Sequence, residues 1–183
     1  MIKSPLNKAI FLDRDGTLNP DPGYISNPDD FELFPDVPES LKQLREAGYL
    51  LILITNQSGI ARGMITIEQL ECIHNKLASL LQKHDVKLDA IYYCPHHPDF
   101  PDAKGISECN CRKPKPGLIS KALIEWNIDI ENSFMIGDKK SDINIGLNTG
   151  AKPIFIGKSL PEGFKNIPYF NNFSEATNWI LSK

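Results

Sequence analysis

The stretch Ala9-Ile10-Phe11-Leu12-Asp13-Arg14-Asp15-Gly16-Thr17 decides the fold of this chain. A short unbroken apolar run reads as a strand covered on both faces, the kind found inside parallel sheets. Asp13 and Asp15 follow at once. In extended backbone, residues i and i+2 point the same way, so both carboxylates can face one reacting centre. Gly16 permits the tight turn that comes next.

Working outward, apolar runs alternate with helical patterns. Residues 36–47 predict a helix with Val37, Leu41 and Leu44 on one face, stopped by Gly48. Residues 49–54 predict a central strand. Thr66 with Gln69 forms a capping-box pattern, opening a helix that carries Ile67, Leu70, Ile73, Leu77, Leu80 and Leu81. Residues 90–93 predict a third strand, followed by an irregular loop from 95 to about 112. Pro116 starts a helix with Leu118, Ile119, Ala122 and Leu123 inward. Residues 134–136 form a strand ending at Gly137-Asp138, then a short helix runs to Gly150. A strand over 153–156 and a last helix, capped by Ser174 and running through Leu181, complete the chain. This alternation predicts an α/β fold: a doubly wound, mainly parallel, Rossmann-like sheet in one domain, residues 1–183. Ligands of such sheets bind beyond the carboxyl ends of the strands. Asp13, Asp15, Thr55, Asn56, Cys94 and Asp138 all fall there.

Bulk properties narrow the classes. The chain has 183 residues, 41% hydrophobic and 23% charged, with net charge −3, which is the make-up of a globular protein. No basic block suggests nucleic acid. No run reaches the roughly 18 apolar residues of a membrane span, and Met1-Ile2-Lys3-Ser4-Pro5 does not begin a signal peptide. The expected setting is cytoplasmic, where the four cysteines would be reduced or metal-bound.

Asp13, Asp15 and Asp138 together offer hard oxygen ligands suited to magnesium, which binds through a few carboxylates, phosphate and water. The run Asp13-Arg14-Asp15-Gly16-Thr17 resembles the first motif of the haloacid dehalogenase superfamily. Thr55 in Ile54-Thr55-Asn56, Lys113 in Cys111-Arg112-Lys113-Pro114 and Asp138 in Ile136-Gly137-Asp138-Lys139 resemble its later motifs, in order. The resemblance implies that Asp13 is a nucleophile forming an aspartyl phosphate and Asp15 a general acid and base. It implies that Thr55 and Lys113 hold phosphoryl oxygens. Magnesium would be bound by Asp13, Asp138 and the backbone carbonyl of Asp15, with Asp142 in support. An acid at position 15 favours phosphate esters over halides. The short intervals between motifs leave no room for a full cap domain, which suits hydrolysis.

Cys94-Pro95-His96 and Cys109-Asn110-Cys111 form a second constellation. Three thiols and an imidazole match a tetrahedral zinc site. The loop between them, about 94–111, has almost no apolar anchor, so a metal closing it would supply folding energy. With four protein ligands the zinc would be structural. His97 is an alternative to His96, although His96 fits the related motif. Cys72 reads as a packed or half-exposed thiol on a helix, and His74 and His84 as solvated residues without a role.

Superfamily phosphatases with such a loop include histidinol-phosphate and heptose bisphosphate phosphatases. The chain resembles the heptose bisphosphate group more closely, through 13–19, 55–63, 92–98 and 111–114. That resemblance implies a sugar bisphosphate substrate; a monomer is the default expectation. Arg112 and Lys139 would bind its second anionic group, and Asp21, Pro22, Gly23, Tyr24, Asn56, Gln57 and Ser58 would also contact it. Two rivals stay open: histidinol-phosphate hydrolysis, and a catalytically silent zinc-loop binding module.

Overall fold

The computed structural model describes residues 6–101, 105 and 107–183. Residues 1–5, read above for a signal peptide, and 102–104 and 106 of the predicted loop lie outside the described residues. Six parallel strands form one sheet in the order β3-β2-β1-β4-β5-β6. They are β1 Ala9–Leu12, β2 Leu50–Asn56, β3 Ala90–Cys94, β4 Phe134–Gly137, β5 Lys152–Ile156 and β6 Tyr169–Phe170. The helices are α1 Val37–Glu46, α2 Ile67–Gln82, α3 Gly117–Trp126, α4 Lys140–Thr149 and α5 Phe173–Leu181.

The apolar run of β1 works as its continuity predicts. Ile10 and Leu12 point to one face, where they join Leu41, Leu44, Ile73, Leu77, Phe173 and Ile180 from α1, α2 and α5. Ala9 and Phe11 point to the other face, against Leu118, Ile119, Ala122 and Ile145 from α3 and α4. All four β1 residues are fully buried. Each large apolar side chain so enclosed contributes about 1.5–3 kcal/mol. The strand is thus fixed from both sides before its terminal carboxylates are considered.

Differences from the sequence reading have local causes. β2 runs on to Asn56, so Thr55 lies inside the strand rather than after it. Asn172, not Ser174, caps α5: its side chain accepts from Glu175 N at 2.9 Å, while Ser174 N donates to Asp36 Oδ2 at 2.8 Å. Thr66 and Gln69 do form a reciprocal capping box at α2. β6 has only two residues, too few for a readable period. Among the described residues, no helix is long and apolar enough to cross a membrane.

β1 is flanked by β2 and β4, which lie on opposite sides of the sheet's starting point. The chain reverses its winding direction there. This is the switch point at which open α/β sheets leave a crevice at their carboxyl edge.

Candidate active site

Asp13 leaves β1 into that crevice, with its backbone N–H donating to Ile136 O of β4 at 2.9 Å. Lys113 reaches it from the segment before α3: Lys113 Nζ lies 2.6 Å from Asp13 Oδ1 and 2.6 Å from Asp142 Oδ1. The three side chains are almost entirely enclosed. Burial alone would discharge the lysine, but Asp13 and Asp142 outweigh it and hold its pKa above the ordinary value. Asn56 secures Lys113 from its backbone side, accepting from Lys113 N at 3.0 Å and donating to Lys113 O at 3.2 Å.

Asp138 completes the cluster. Single oxygens of Asp13, Asp138 and Asp142 lie within 4.8 Å of one another. Thr17 Oγ1 donates to Asp138 Oδ1 at 3.3 Å. Burial and the Asp13 charge push Asp138 up to about 7, against the opposing pull of Lys139. Burial likewise lifts Asp142 to about 6, although Lys113 pulls the other way. Gly16 at φ +90° and Gly137 leave space that these carboxylates fill; a Cβ at either would overlap Asp138 or Asp142. Converging, proton-loving oxygens in a tight cradle are what a small divalent cation relieves. The donor set is therefore chemically apt for magnesium.

Asp15 does not join that cluster. Its oxygens are turned to Arg14, Asn19 and Gln57. Burial raises its pKa, but the charge and hydrogen bonds of Arg14, with those of Asn19 and Gln57, more than reverse this and hold it below the usual range. Asp15 lines a cleft of about 240 Å³ with Asp21, Gly23, Tyr24, Asn56, Gln57, Ser58 and Lys139. Lys139 Nζ and Asp21 Oδ2 meet across it at 2.8 Å.

Most of the substrate residues expected from sequence thus share one cleft beside Asp15, but two do not. Pro22 is not among the lining residues. Arg112 lines a neighbouring cavity with Lys113, and its Nη1 donates to His96 O at 3.1 Å. The amides of Asn56 and Gln57 are spent largely inside the protein. Gln57 Nε2 donates to both Asp15 Oδ2 and Thr55 Oγ1 at 2.9 Å.

The cysteine cluster hangs from β3. Cys94 is buried at the strand end, and one ligand atom each of Cys94, His96, Cys109 and Cys111 lies within 4.8 Å of the others. Sγ separations are 3.1 Å for Cys94–Cys111 and 3.6 Å for Cys94–Cys109, and His96 Nδ1 is 3.3 Å from Cys111 Sγ. A tetrahedron with zinc–sulfur bonds of about 2.3 Å has edges of about 3.8 Å; the Cys94–Cys109 separation is close to this and the Cys94–Cys111 separation is shorter. His97 turns away, its Nε2 2.8 Å from Arg62 Nη2. Cys72 is exposed and apart.

Sequence reasoning missed Arg14 and His74. Arg14 is 1% and His74 8% exposed, so the expectation of a solvated His74 is corrected. Its signal was available: His74 lies four residues after Leu70 and three before Leu77, on the apolar face of α2.

A carboxylate at the end of β1, a buried lysine paired with it and a second acid two residues on, set on a parallel switch-point sheet, define a phosphatase of the haloacid dehalogenase superfamily. The family model described as polynucleotide kinase 3 phosphatase matches residues 8–155. D-glycero-beta-D-manno-heptose-1,7-bisphosphate 7-phosphatase of Yersinia pestis is 47% identical over 177 residues, 95% of this chain and 89% of that one. The Escherichia coli K12 enzyme of the same name is 40% identical over 95% of this chain and 88% of its own. The crystal structure of D,D-heptose 1,7-bisphosphate phosphatase from B. bronchiseptica, complexed with magnesium and phosphate, superposes with a TM-score of 0.82 at 30% identity, covering 96% and 98% of the two chains. The chain belongs to the heptose-1,7-bisphosphate 7-phosphatase family within this phosphatase class.

Proposed function

We propose that this protein hydrolyses the C7 phosphate of D-glycero-D-manno-heptose 1,7-bisphosphate, leaving heptose 1-phosphate for nucleotide activation. The observation that carries the reading is the adjacency of Asp13, paired with Lys113 at 2.6 Å, and a polar cleft lined by Asp15, Asp21, Ser58 and Lys139. One holds the group that reacts with phosphorus; the other offers hydrogen-bonding groups to a polyhydroxylated sugar and one cation, Lys139, to its second anionic group.

Asp13 attacks phosphorus while the bond to the C7 oxygen breaks, and its carboxylate becomes an aspartyl phosphate. Asp15 gives a proton to the leaving oxygen. The incoming phosphate dianion raises the proton affinity of Asp15 against its pairing with Arg14. In the second half Asp15 takes a proton from water, which attacks phosphorus and frees Asp13 and inorganic phosphate. Thr55 and Lys113 hold the phosphoryl oxygens. Lys139, and Arg112 once it leaves the His96 carbonyl, bind the anion at C1. Pro22, Gly23, Tyr24, Asn56 and Gln57 shape the sugar site. Magnesium would be held by Asp13, Asp138 and the backbone carbonyl of Asp15, with Asp142 behind them; when bound it offsets charge on the transferring phosphoryl group. Zinc on Cys94, His96, Cys109 and Cys111 is structural. On this reading residues 1–183 act as one domain, a monomer in the cytoplasm.

The test is kcat/KM for both anomers of heptose 1,7-bisphosphate and for histidinol phosphate, with magnesium. One heptose anomer should lead histidinol phosphate by about a hundredfold or more, since two to three charged hydrogen bonds distinguish them. A leading rate on histidinol phosphate would overturn the substrate assignment.

A further inference from the structure

Arg14 stands between the two motif carboxylates, and the steps above give it no task. Its guanidinium is enclosed under the Phe31 ring, 5.9 Å from the centroid. Nε donates to Asp15 Oδ1 at 3.0 Å and Nη2 to Asp15 Oδ2 at 2.9 Å, a two-pronged grip on one carboxylate. Nη2 also donates to Gln57 Oε1 at 3.1 Å. Nη1 faces His74 Nε2 at 3.4 Å. Burial and the Arg14 charge take His74 down to about 4. Its ring is then neutral, with Nε2 the acceptor and the proton on Nδ1.

Each oxygen of Asp15 accepts two hydrogen bonds. On Oδ1 the donors are Arg14 and Asn19 (Nδ2 at 3.0 Å), neither of which lines the cleft. On Oδ2 the second donor is Gln57, which lines the cleft and already shares its Nε2 with Thr55 Oγ1. Asn19 Nδ2 is shared in the same way, with Pro20 O at 2.7 Å, so what sets Oδ2 apart is that its second donor, Gln57, lies in the cleft wall.

We propose that Arg14 and His74 are positioning residues, a buried brace reaching from α2 that fixes the plane of the Asp15 carboxylate and presents Oδ2 to the leaving oxygen of the substrate. The proposal rests on the phosphatase reading above. A carboxylate turns about a single bond, whereas a planar guanidinium gripping both oxygens fixes its plane. Proton transfer needs that plane, because donor and leaving oxygen must come within hydrogen-bond reach as the phosphorus–oxygen bond breaks and its electron pair stays on oxygen. His74, by holding the far end of the guanidinium, keeps the grip in register.

The test compares kcat/KM on heptose 1,7-bisphosphate, whose alkoxide must be protonated as it leaves, with p-nitrophenyl phosphate, whose phenolate leaves as the anion. Both report phosphoryl transfer to Asp13 and not the later hydrolysis. His74→Phe should lower the alkyl value about tenfold and the aryl value less than about twofold, a fraction of the general-acid contribution. His74→Gln, which keeps an acceptor, should restore most of the alkyl rate. Arg14→Lys keeps the charge without the fork and should cost about a hundredfold on the alkyl ester alone; should it fold poorly, the two His74 variants decide. Equal losses on both esters, or an undiminished alkyl rate in His74→Phe, would overturn the brace. A parent enzyme active on other alkyl phosphates but not on the heptose bisphosphate overturns the substrate reading alone, and the brace is then judged on the alkyl ester it does hydrolyse. A parent that cleaves neither ester overturns both.

Discussion

Two clusters of candidate ligands stand at neighbouring strand ends, and different forces gather them. Asp13, Asp138, Asp142 and Lys113 sit where β1 and β4 leave the sheet, behind strands buried on both faces. Lys113 balances two of the carboxylates, and Asn56 grips its backbone. These contacts come from the protein alone. Cys94 is buried at the end of β3, the best-anchored of the four candidate zinc ligands. His96, Cys109 and Cys111 are half-buried; Cys109 and Cys111 rest against the edge of the core, and the thiols and the imidazole otherwise face one another. Burial pushes the Cys94 thiol well up, so without a cation it stays protonated. On our reading the first cluster is made by the sheet and used by chemistry, and the second is made by its metal and used by the fold.

The sharpest way to break this contrast is to remove one member from each side. Asp13→Asn should abolish turnover, on the order of 10⁴-fold or more in kcat, while the thermal midpoint stays within a few degrees of the parent, about 1 kcal/mol. A large fall in midpoint would mean that the sheet does not hold the site by itself. The double variant Cys109→Ser, Cys111→Ser should show the reverse. Zinc content, about one per chain in the parent, should drop to near zero, and limited proteolysis should cut between 95 and 111. The midpoint should fall by about 5–10 °C, the equivalent of several kcal/mol for a chain of this size. Activity should fall less steeply, because Asn56 still grips Lys113 two residues beyond Cys111. Retained stability with no metal would refute the structural zinc.

How far each cluster could be read in the sequence follows from the same contrast. Strand-end residues are legible because a buried strand leaves little choice of direction: Asp13 and Asp138 had to emerge at the carboxyl edge. The thiols are legible because two of them one residue apart suit few purposes but a metal. Orientation within loops is not legible. The residue type of Arg112 suits an anion, but the sequence does not show that its guanidinium rests on the His96 carbonyl, a choice of rotamer rather than of residue type. Asn56 and Gln57 have the right place for the cleft, but their amides face inward. Asn172 and Ser174 are both good N-caps, and only the course of the chain after β6 selects Asn172.

A smaller effect probes the cleft. Lys139→Met removes the cation facing Asp21 and the charge that draws Asp138 down, while the Asp13–Lys113 pair and the thiols keep their own contacts. It should raise KM for the heptose bisphosphate about tenfold, one charged hydrogen bond to the distal anion, with kcat changed less than about threefold. A loss confined to kcat would move Lys139 from sugar binding into phosphoryl transfer.

The smallest expected effect tests whether the carboxylates are held together against their own repulsion. Asp138 rises from 3.8 to about 7 in the metal-free fold, through burial first and the Asp13 charge second. Asp142 rises to about 6 for the same leading reason. Between pH 4 and these values the folded chain keeps protons that the unfolded chain has released. Stability therefore falls as pH rises through that window. Asp15, held low, acts outside it: its contribution is lost only as pH drops below the ordinary carboxylate range. On our reading magnesium would take the place of those protons, so its benefit should grow as they leave. In magnesium-free buffer the thermal midpoint should decline between pH 5 and pH 7.5, and added magnesium should raise it by about 2–4 °C more at pH 7.5 than at pH 5. The double cysteine variant should keep that difference, because separate elements hold the two clusters. If the variant loses it, the carboxylate site depends on the cysteine loop after all.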